Sequence, residues 1–494
     1  MKKKHFFEII LVLGIVLVAY SYFSQNLEWN TNSRLGLVKS IVEENRFEID
    51  STWKSILPTK DIAKFQNHYY SDKAIGSSLI GAAFYFPIYI ISNMLKIKIR
   101  TMIFTEMLTF LAIGVVCALI APFFYSFLKK ITNSPRYAFI LTIAMCLGTP
   151  LYKYSTAYYG HVLAGLFLFV AFFIWFNIKN EEQITPLKVL ISGYLLGYAI
   201  ITEYPTLVIA FGIGLYILYI LWKKKRLFDL KTYIYLLIGV LPLASIVMAY
   251  NFAVFHHPFK TGYGYELIPQ FLNGQHGGIM GIGLPNLSVL FYMTLHPSMG
   301  IFWQSPFLLL SFIGWFRMWK EGQYRAEAIL SFGVILVYFL MMSGYYIWWG
   351  GVAFTPRNLI PVFPFFCVPL AFIRKKWEVI TLVILVLVAL GQIFIVTAAN
   401  SKGIETVLYL MPKLSISTTF QQPTMIYDVY LPNFLKQNMT INRGQEFFHL
   451  SGFLSLLPLV IVETGLVTIF LKLTQQKNSR SILPNAAQEY IYEK

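Results

Sequence analysis

Apolar runs of about twenty residues recur from one end of this chain to the other, separated by short polar connectors. A helix of roughly 20 apolar residues is what the hydrocarbon layer of a bilayer requires. Full spans are predicted near 7–24, 102–128, 137–150, 158–177, 188–202, 204–222, 232–253, 299–317, 328–347, 357–373, 377–398 and 451–473. The run 79–95 (LIGAAFYFPIYIISNML) is short and interrupted by Pro87, so it is expected to be re-entrant or to lie along the interface. The expected fold is an all-α polytopic membrane bundle of about 12 full spans, or 13 if 79–95 crosses.

Composition agrees with that pattern. The chain is 57% hydrophobic and 13% charged, against about 25% charged in soluble domains. The net charge of +17 brings nucleic acid to mind, but the cations sit in short connectors: Lys2 to Lys4, Lys129-Lys130, Lys223 to Arg226, Arg317 to Arg325, Arg374 to Lys376, and the tail after Lys472. That placement is the positive-inside signature, and it lacks the basic stripe of a nucleic-acid binder. It puts the N-terminus in the cytoplasm, most simply of a bacterial inner membrane. All the basic connectors fall inside if 79–95 does not fully cross.

Three lysines followed by an apolar run also resemble a signal peptide, but Ala19-Tyr20-Ser21 is a poor cleavage site, so 1–24 reads as an uncleaved anchor. The domain plan is then this anchor, a first external loop (25–78), a multi-span core (79–398), a second external loop (399–450), a last helix (451–473) and a cytoplasmic tail (474–494). Cys117, Cys146 and Cys367 lie in apolar segments and read as small buried hydrophobes. There is no internal repeat and no glycine-rich phosphate loop. His256-His257 lacks partner spacing for zinc; no metal ligand set and no cofactor is implied, with a divalent metal the less favoured option.

The polar sequence gathers on the other side. Seven of the 23 acidic residues lie in loop 25–78. Within it, Leu35, Val38, Ile41 and Val42 share one helical face, with Arg34, Lys39, Glu43, Glu44 and Arg46 on the others, which predicts an amphipathic helix on the membrane interface over 33–47. Tyr69 and Tyr70 fit interfacial anchors or site-lining residues, and the acid and amine after them, Asp72-Lys73, sit where charges are partly desolvated. A carboxylate there suits a general base that takes the proton of an attacking hydroxyl. A lysine or arginine suits a departing phosphate. One base and a few cations match sugar transfer from a lipid-linked phosphosugar better than hydrolysis, which ordinarily needs an acid as well.

Asp61 and Asp72 lead as catalytic bases, with Asp50 a further candidate; a helix cap or surface ion pair is the structural alternative for each. Lys73, Arg357 and Arg34 are candidate donor-phosphate ligands; for Arg357 the alternative is an interfacial snorkelling arginine. Glu28, His161 and Glu203 are possible site-lining residues, with an interfacial histidine and a backbone-bonded carboxylate the plainer readings of the last two. Glu463, deep in the last span, has no assigned role.

At these residues the sequence resembles the GT-C glycosyltransferases, in particular the group containing protein O-mannosyltransferases and the lipid A aminoarabinose transferase. The likeness is carried by Asn30 to Asp50, Asp61 and YYSDKAIGSSL (69–79), then thinly by GTPLYKYSTAYYGH (148–161), TEYP (202–205), YNFAVFHHPFKTGY (250–263) and WWGGVAFTPRNLIPVFPF (348–365). It implies an inverting transferase that takes a sugar from a polyprenyl-phosphate donor at the external membrane face. Asp72 and Lys73 look like the group's acid and lysine pair. Many members also carry an acid soon after the first span, often Asp followed by Glu; here the stretch reads Glu28-Trp29-Asn30, so Glu28, Asp50, Asp61 and Asp72 all remain in contention as base.

Two other classes compete. A transporter or flippase of lipid-linked saccharides would place ionisable groups along a central path, and a non-catalytic membrane subunit would leave the charged loop without purpose. A protein, a lipid head group or a polysaccharide are all possible acceptors. Loop 399–450, with Gln421-Gln422-Pro423 and Asp428, is expected to help hold the acceptor.

Overall fold

The computed structural model describes residues 2–25, 27–404 and 423–475. Nine helices among them are long and apolar enough to cross a membrane, and Pro135–Leu147, Pro186–Thr202 and Arg357–Phe372 are shorter apolar helices. Local sequence sets many boundaries. Ser134 accepts from the Tyr137 N–H just before Pro135 opens its helix, and Asn133, left-handed at φ 51°, closes the one before. Prolines at Pro306, Pro361, Pro364 and Pro369 break the segments 301–320 and Arg357–Phe372 into short α and 3-10 turns.

The helix His161–Lys179 is the axis of the bundle, with 83% of its apolar window buried. Phe169 and Phe172 on it meet Phe124, Phe127 and Phe365 from neighbouring helices, largely edge to face. In lipid such packing holds helices by van der Waals contact and hydrogen bonds rather than by exclusion from water. Trp175 Nε1 donating to Ser192 Oγ at 2.9 Å is one such bond.

The two ends of the bundle differ. At one, the basic connectors pair with acids, most of them buried or half-buried: Lys129 with Glu8, Lys179 with Glu327 (2.7 Å), Lys188 with Glu181 (2.6 Å), Arg317 in a two-pronged bond with Glu378, and Arg374 with the exposed Glu321 (2.7 Å). At the other end the long loops meet. Phe23 and Ser24 pair with Asn442 and Ile441, Ala63 bridges to Glu266, and Met425 N–H donates to Ser298 O at 3.0 Å.

These contacts locate the segment 79–95. Helix Lys2–Tyr22 starts at the basic end, where Glu8 meets Lys129, and finishes at the loop end, where Ser21 O accepts from Arg443. Helix Thr101–Thr132 runs the opposite way, from Glu106 beside the same Arg443 to Lys129 beside Glu8. The chain therefore leaves and re-enters the bundle at the loop end, and Gly76–Met94 between them makes no net crossing. Its Tyr85 donates to Glu43 of the first loop and packs on Phe104. Setting that helix aside from the nine, and adding the three shorter helices and the interrupted segment 301–320, leaves the expected 12 passages.

The first loop differs from expectation in two ways. The helix runs Trp29–Glu43 and is sunk into the mouth of the bundle, with Asn30 to Val38 all buried, instead of lying on the interface. Asn32, Ser33 and Arg34 find partners there in Pro58 O, Asp72 and Glu203, which takes the place of a solvated face. The chain then forms a hairpin, Ile62–Phe65 against His68–Ser71, turning at Gln66-Asn67 with Gln66 at φ 54°. Gln421 and Gln422 lie outside the described residues, as does the tail beyond Gln475.

Candidate active site

Three clusters of ionisable groups meet at the loop end. The first is built by the hairpin. Its second strand ends at Ser71, which delivers Asp72 and Lys73 inward. Lys73 Nζ sits 3.0 Å from Asp61 Oδ2 and is also bonded to Asp72 Oδ2. Ser33 Oγ donates to Asp72 Oδ1 at 3.1 Å. The loop 254–298 supplies a third acid, Glu266, through the Ala63–Glu266 bridge and the Leu267 N–H bond to Ile62 O (2.9 Å). The loop lies this close because Gly262 has no Cβ; one there would meet Asp72 Cα at 2.8 Å. Glu266 is 6% exposed, and burial followed by the nearby Asp72 pushes its carboxyl up to about 10. Both causes disfavour its charged form, so Glu266 is the acid of this cluster that holds its proton most strongly. Burial works against the Lys73 ammonium, but Asp61, Asp72 and Glu266 more than offset it, and its pKa lies well above the ordinary value.

The second cluster comes from chain segments after the first span and before the central helix, joined by Arg357 at the start of its own short helical segment. Glu28 accepts a hydrogen bond from Tyr159 Oη. Arg357 lies over the Tyr159 ring at 4.9 Å and its Nη1 donates to the same hydroxyl at 3.2 Å. Lys153, 8% exposed, donates to Gln25 Oε1 and Val396 O, both at 3.0 Å, above the Tyr430 ring. Burial lowers its pKa to about 8, with Glu28 opposing, and burial raises the Glu28 carboxyl against the pull of Tyr159, Arg357 and Lys153. Glu28, Lys153, Tyr154 and Tyr159 line a narrow cleft closed by Ser401 and Ile404, whose free volume of about 20 Å³ admits one water.

In the third cluster Arg34 Nη2 donates to Glu203 Oε1 (2.9 Å), Nε to Asn30 Oδ1 (3.0 Å) and Nη1 to Ser77 Oγ (2.7 Å). His161 Nδ1 lies 3.3 Å from the same Glu203 oxygen, and its ring stacks on Tyr159. The clusters are contiguous: Glu28 and Asp61 both act electrostatically on Arg357, and Arg34, Arg357 and Lys73 all act on Glu203.

Most of the residues singled out in the sequence are thus brought together, but in different roles. Arg34 is 1% exposed with all its nitrogens engaged, so it pins the loop helix to Glu203 and does not face a ligand. Asp72 is 2% exposed, with one oxygen bonded to Ser33, the other to Lys73, and Glu266 acting on it electrostatically. Asp50 stands apart on the outside of the hairpin, where it accepts from the Tyr69 N–H and pairs with His68 Nδ1, both at 2.7 Å. Tyr69 packs at a tilt on Trp53 and Tyr70 edge-on to Phe255, so both tie the hairpin to its neighbours. Asp428 bonds Thr424 N–H (2.6 Å) and Oγ1 (2.8 Å), a local turn. His256 packs on Phe65, and the described residues contain no group of three His, Cys, Asp or Glu arranged to hold a metal.

Sequence reasoning missed Lys153, Tyr159 and Glu266. A charge inside an aromatic run, as in LYKYSTAYYGH and TGYGYELIP, was the available signal.

No protein-family model and no curated protein matches the chain. Two crystal structures of ArnT from Cupriavidus metallidurans are similar to it at 12% identity, over 97% of this chain and 73% of theirs. The TM-scores are 0.47 for the form bound to undecaprenyl phosphate and 0.44 for the apo form. ArnT is the lipid A aminoarabinose transferase named above. At TM-scores below 0.5 the likeness carries no functional argument, which rests instead on this chain's own geometry.

Proposed function

We propose that the chain is a membrane glycosyltransferase that moves a sugar from a polyprenyl-phosphate donor to an acceptor hydroxyl at the loop end of the bundle. The observation that carries this is the cleft around Glu28. There Arg357 and Lys153 make no ion pair with any described residue and are held by a tyrosine, a glutamine and a backbone carbonyl. Cations whose hydrogen-bond partners are neutral are suited to an anionic ligand.

In the proposed step the acceptor oxygen attacks the anomeric carbon from the face opposite the phosphate. The bond from that carbon to the phosphate oxygen breaks, and its electron pair leaves with the polyprenyl phosphate. Glu28 takes the hydroxyl proton; its raised carboxyl is nearer to the pKa a base needs near neutrality. Arg357 stabilises the departing phosphate, and Lys73 joins it by exchanging its contact with Asp61 for a phosphate oxygen while Asp72 stays in place. Asp61 and Asp72 thereby become positioning residues for Lys73.

The test is mass spectrometry of lipids that co-purify with the protein and with an Arg357→Ala, Lys73→Ala double variant. A polyprenyl phosphate or phosphosugar held by the parent and lost by the variant supports the donor site. Absence of any such lipid after feeding candidate donors sinks the transferase reading and favours a carrier of lipid-linked saccharides.

A further inference from the structure

On the side of the bundle, away from the candidate active site, helices Tyr204–Lys223 and Arg325–Ser343 flank a groove of about 580 Å³. Its walls are apolar, with Phe211, Leu215, Ile329 and Val337 among them, and Arg325 and Tyr219 stand at the end nearest the basic connectors. From Arg325 to Val337 the helix rises about 18 Å, a little over half of the roughly 30 Å hydrocarbon core, so the groove matches a chain from one leaflet. Gly333 lines it and has no heavy atom within 4 Å of where a Cβ would stand. Nothing in the protein requires a glycine there, and it costs helix stability; the room it leaves opens into the groove.

The end of the groove carries unpaired positive charge. Arg325 is exposed and uses Nε to bond Trp319 O at 3.0 Å, with no acid partner among the described residues. Lys223 lies over the Tyr219 ring. The acids of this connector are engaged elsewhere, Glu321 with Arg374 and the buried Glu327 with Lys179 and Tyr216. We propose that this groove is a binding site for one anionic phospholipid, with an acyl chain along Gly333 and its phosphate at Arg325. Basic pockets between helices on one face of a membrane recognise anionic head groups in this way.

The purified protein is incubated with equimolar phosphatidylglycerol and phosphatidylcholine of identical chains, and retained lipid is read by native mass spectrometry. The protein is expected to retain phosphatidylglycerol over phosphatidylcholine by about fivefold, the preference conferred by one basic residue near a membrane surface. Arg325→Gln should bring that ratio to about one, and Gly333→Leu should lower retention of both lipids. Ile329→Trp fills the same groove from an exposed position, so misfolding of the glycine variant would not decide the matter. Equal retention of the two lipids by the parent overturns the proposal. So does an unchanged preference in Arg325→Gln, or unchanged retention in both filled variants. Because neither Glu28 nor Arg357 lines the groove, each result stands whether or not the chain transfers sugar.

Discussion

The two ends of this bundle both bury charge, and they satisfy it differently. At the basic end each buried acid has a cation of its own: Glu8 has Lys129, Glu327 has Lys179, and Glu378 has both prongs of Arg317. At the loop end Arg34 is matched with Glu203 and Lys73 with Asp61 and Asp72, but Glu28 bonds to a tyrosine, Arg357 to the same tyrosine, and Lys153 to a glutamine and a carbonyl. A matched pair returns most of its desolvation cost within the fold and staples helices. A charge given neutral partners keeps its field available to a ligand, at a cost to stability that the rest of the fold has to carry. The same residue types therefore read as structure where they are matched and as function where they are not.

The sharpest way to break that comparison is Glu28→Gln. If Glu28 is the base, transfer should fall by about 100- to 10,000-fold while donor lipid is still retained; Asp50→Asn, outside the cluster, should leave transfer within about twofold of the parent. An equal loss in both variants would remove the distinction between a base and a loop carboxylate.

Arg317→Ala tests the stapled end. It leaves Glu378 buried without its partner and should cost about 3 kcal/mol of stability, read by thermal unfolding in detergent, with no change in lipid retained at the loop end.

Lys153 gives a pH test. Its folded pKa of about 8 lies below the ordinary 10.5, so the unfolded chain binds more protons between those values and stability rises with pH across that window. Relative to Lys153→Met, the parent should gain up to ~3 kcal/mol from pH 8 to 10.5. A flat difference would mean that the amine is not desolvated.

Glu266 has the opposite sign. Its raised carboxyl stabilises most below the ordinary carboxylate range, and that contribution is lost as pH rises toward about 10. Glu266→Gln, which stays neutral, should gain on the parent by at most ~1.4 kcal/mol per pH unit over that range. A variant that instead loses ground as pH rises would show that Glu266 is ionised in the native state.

Much of this was legible in the residues. Thirteen apolar segments near the predicted positions are helical because apolar length alone decides what can cross a bilayer, and in lipid a helix satisfies its backbone locally. The basic connectors told which ends lie together, since their cations are local in sequence. Asp61, Lys73, Arg357, Glu28, His161 and Glu203 were picked as ionisable groups near span ends, and they do converge. Their roles were not legible. Arg34 looks like any interfacial arginine until Glu203, 169 residues away, is placed against it. Asp72 looks available until Ser33 and Glu266 enclose it.

The sequence by itself determined a membrane-spanning helical bundle, the side on which its cations gather, and the loop in which its acids are densest. Those follow from hydrophobic length and charge placement, which act residue by residue. Only the tertiary structure decided which charges pair and which are left facing a cleft. Whether a buried charge is matched depends on partners more than a hundred residues away, brought within 3 Å by packing that no local pattern encodes.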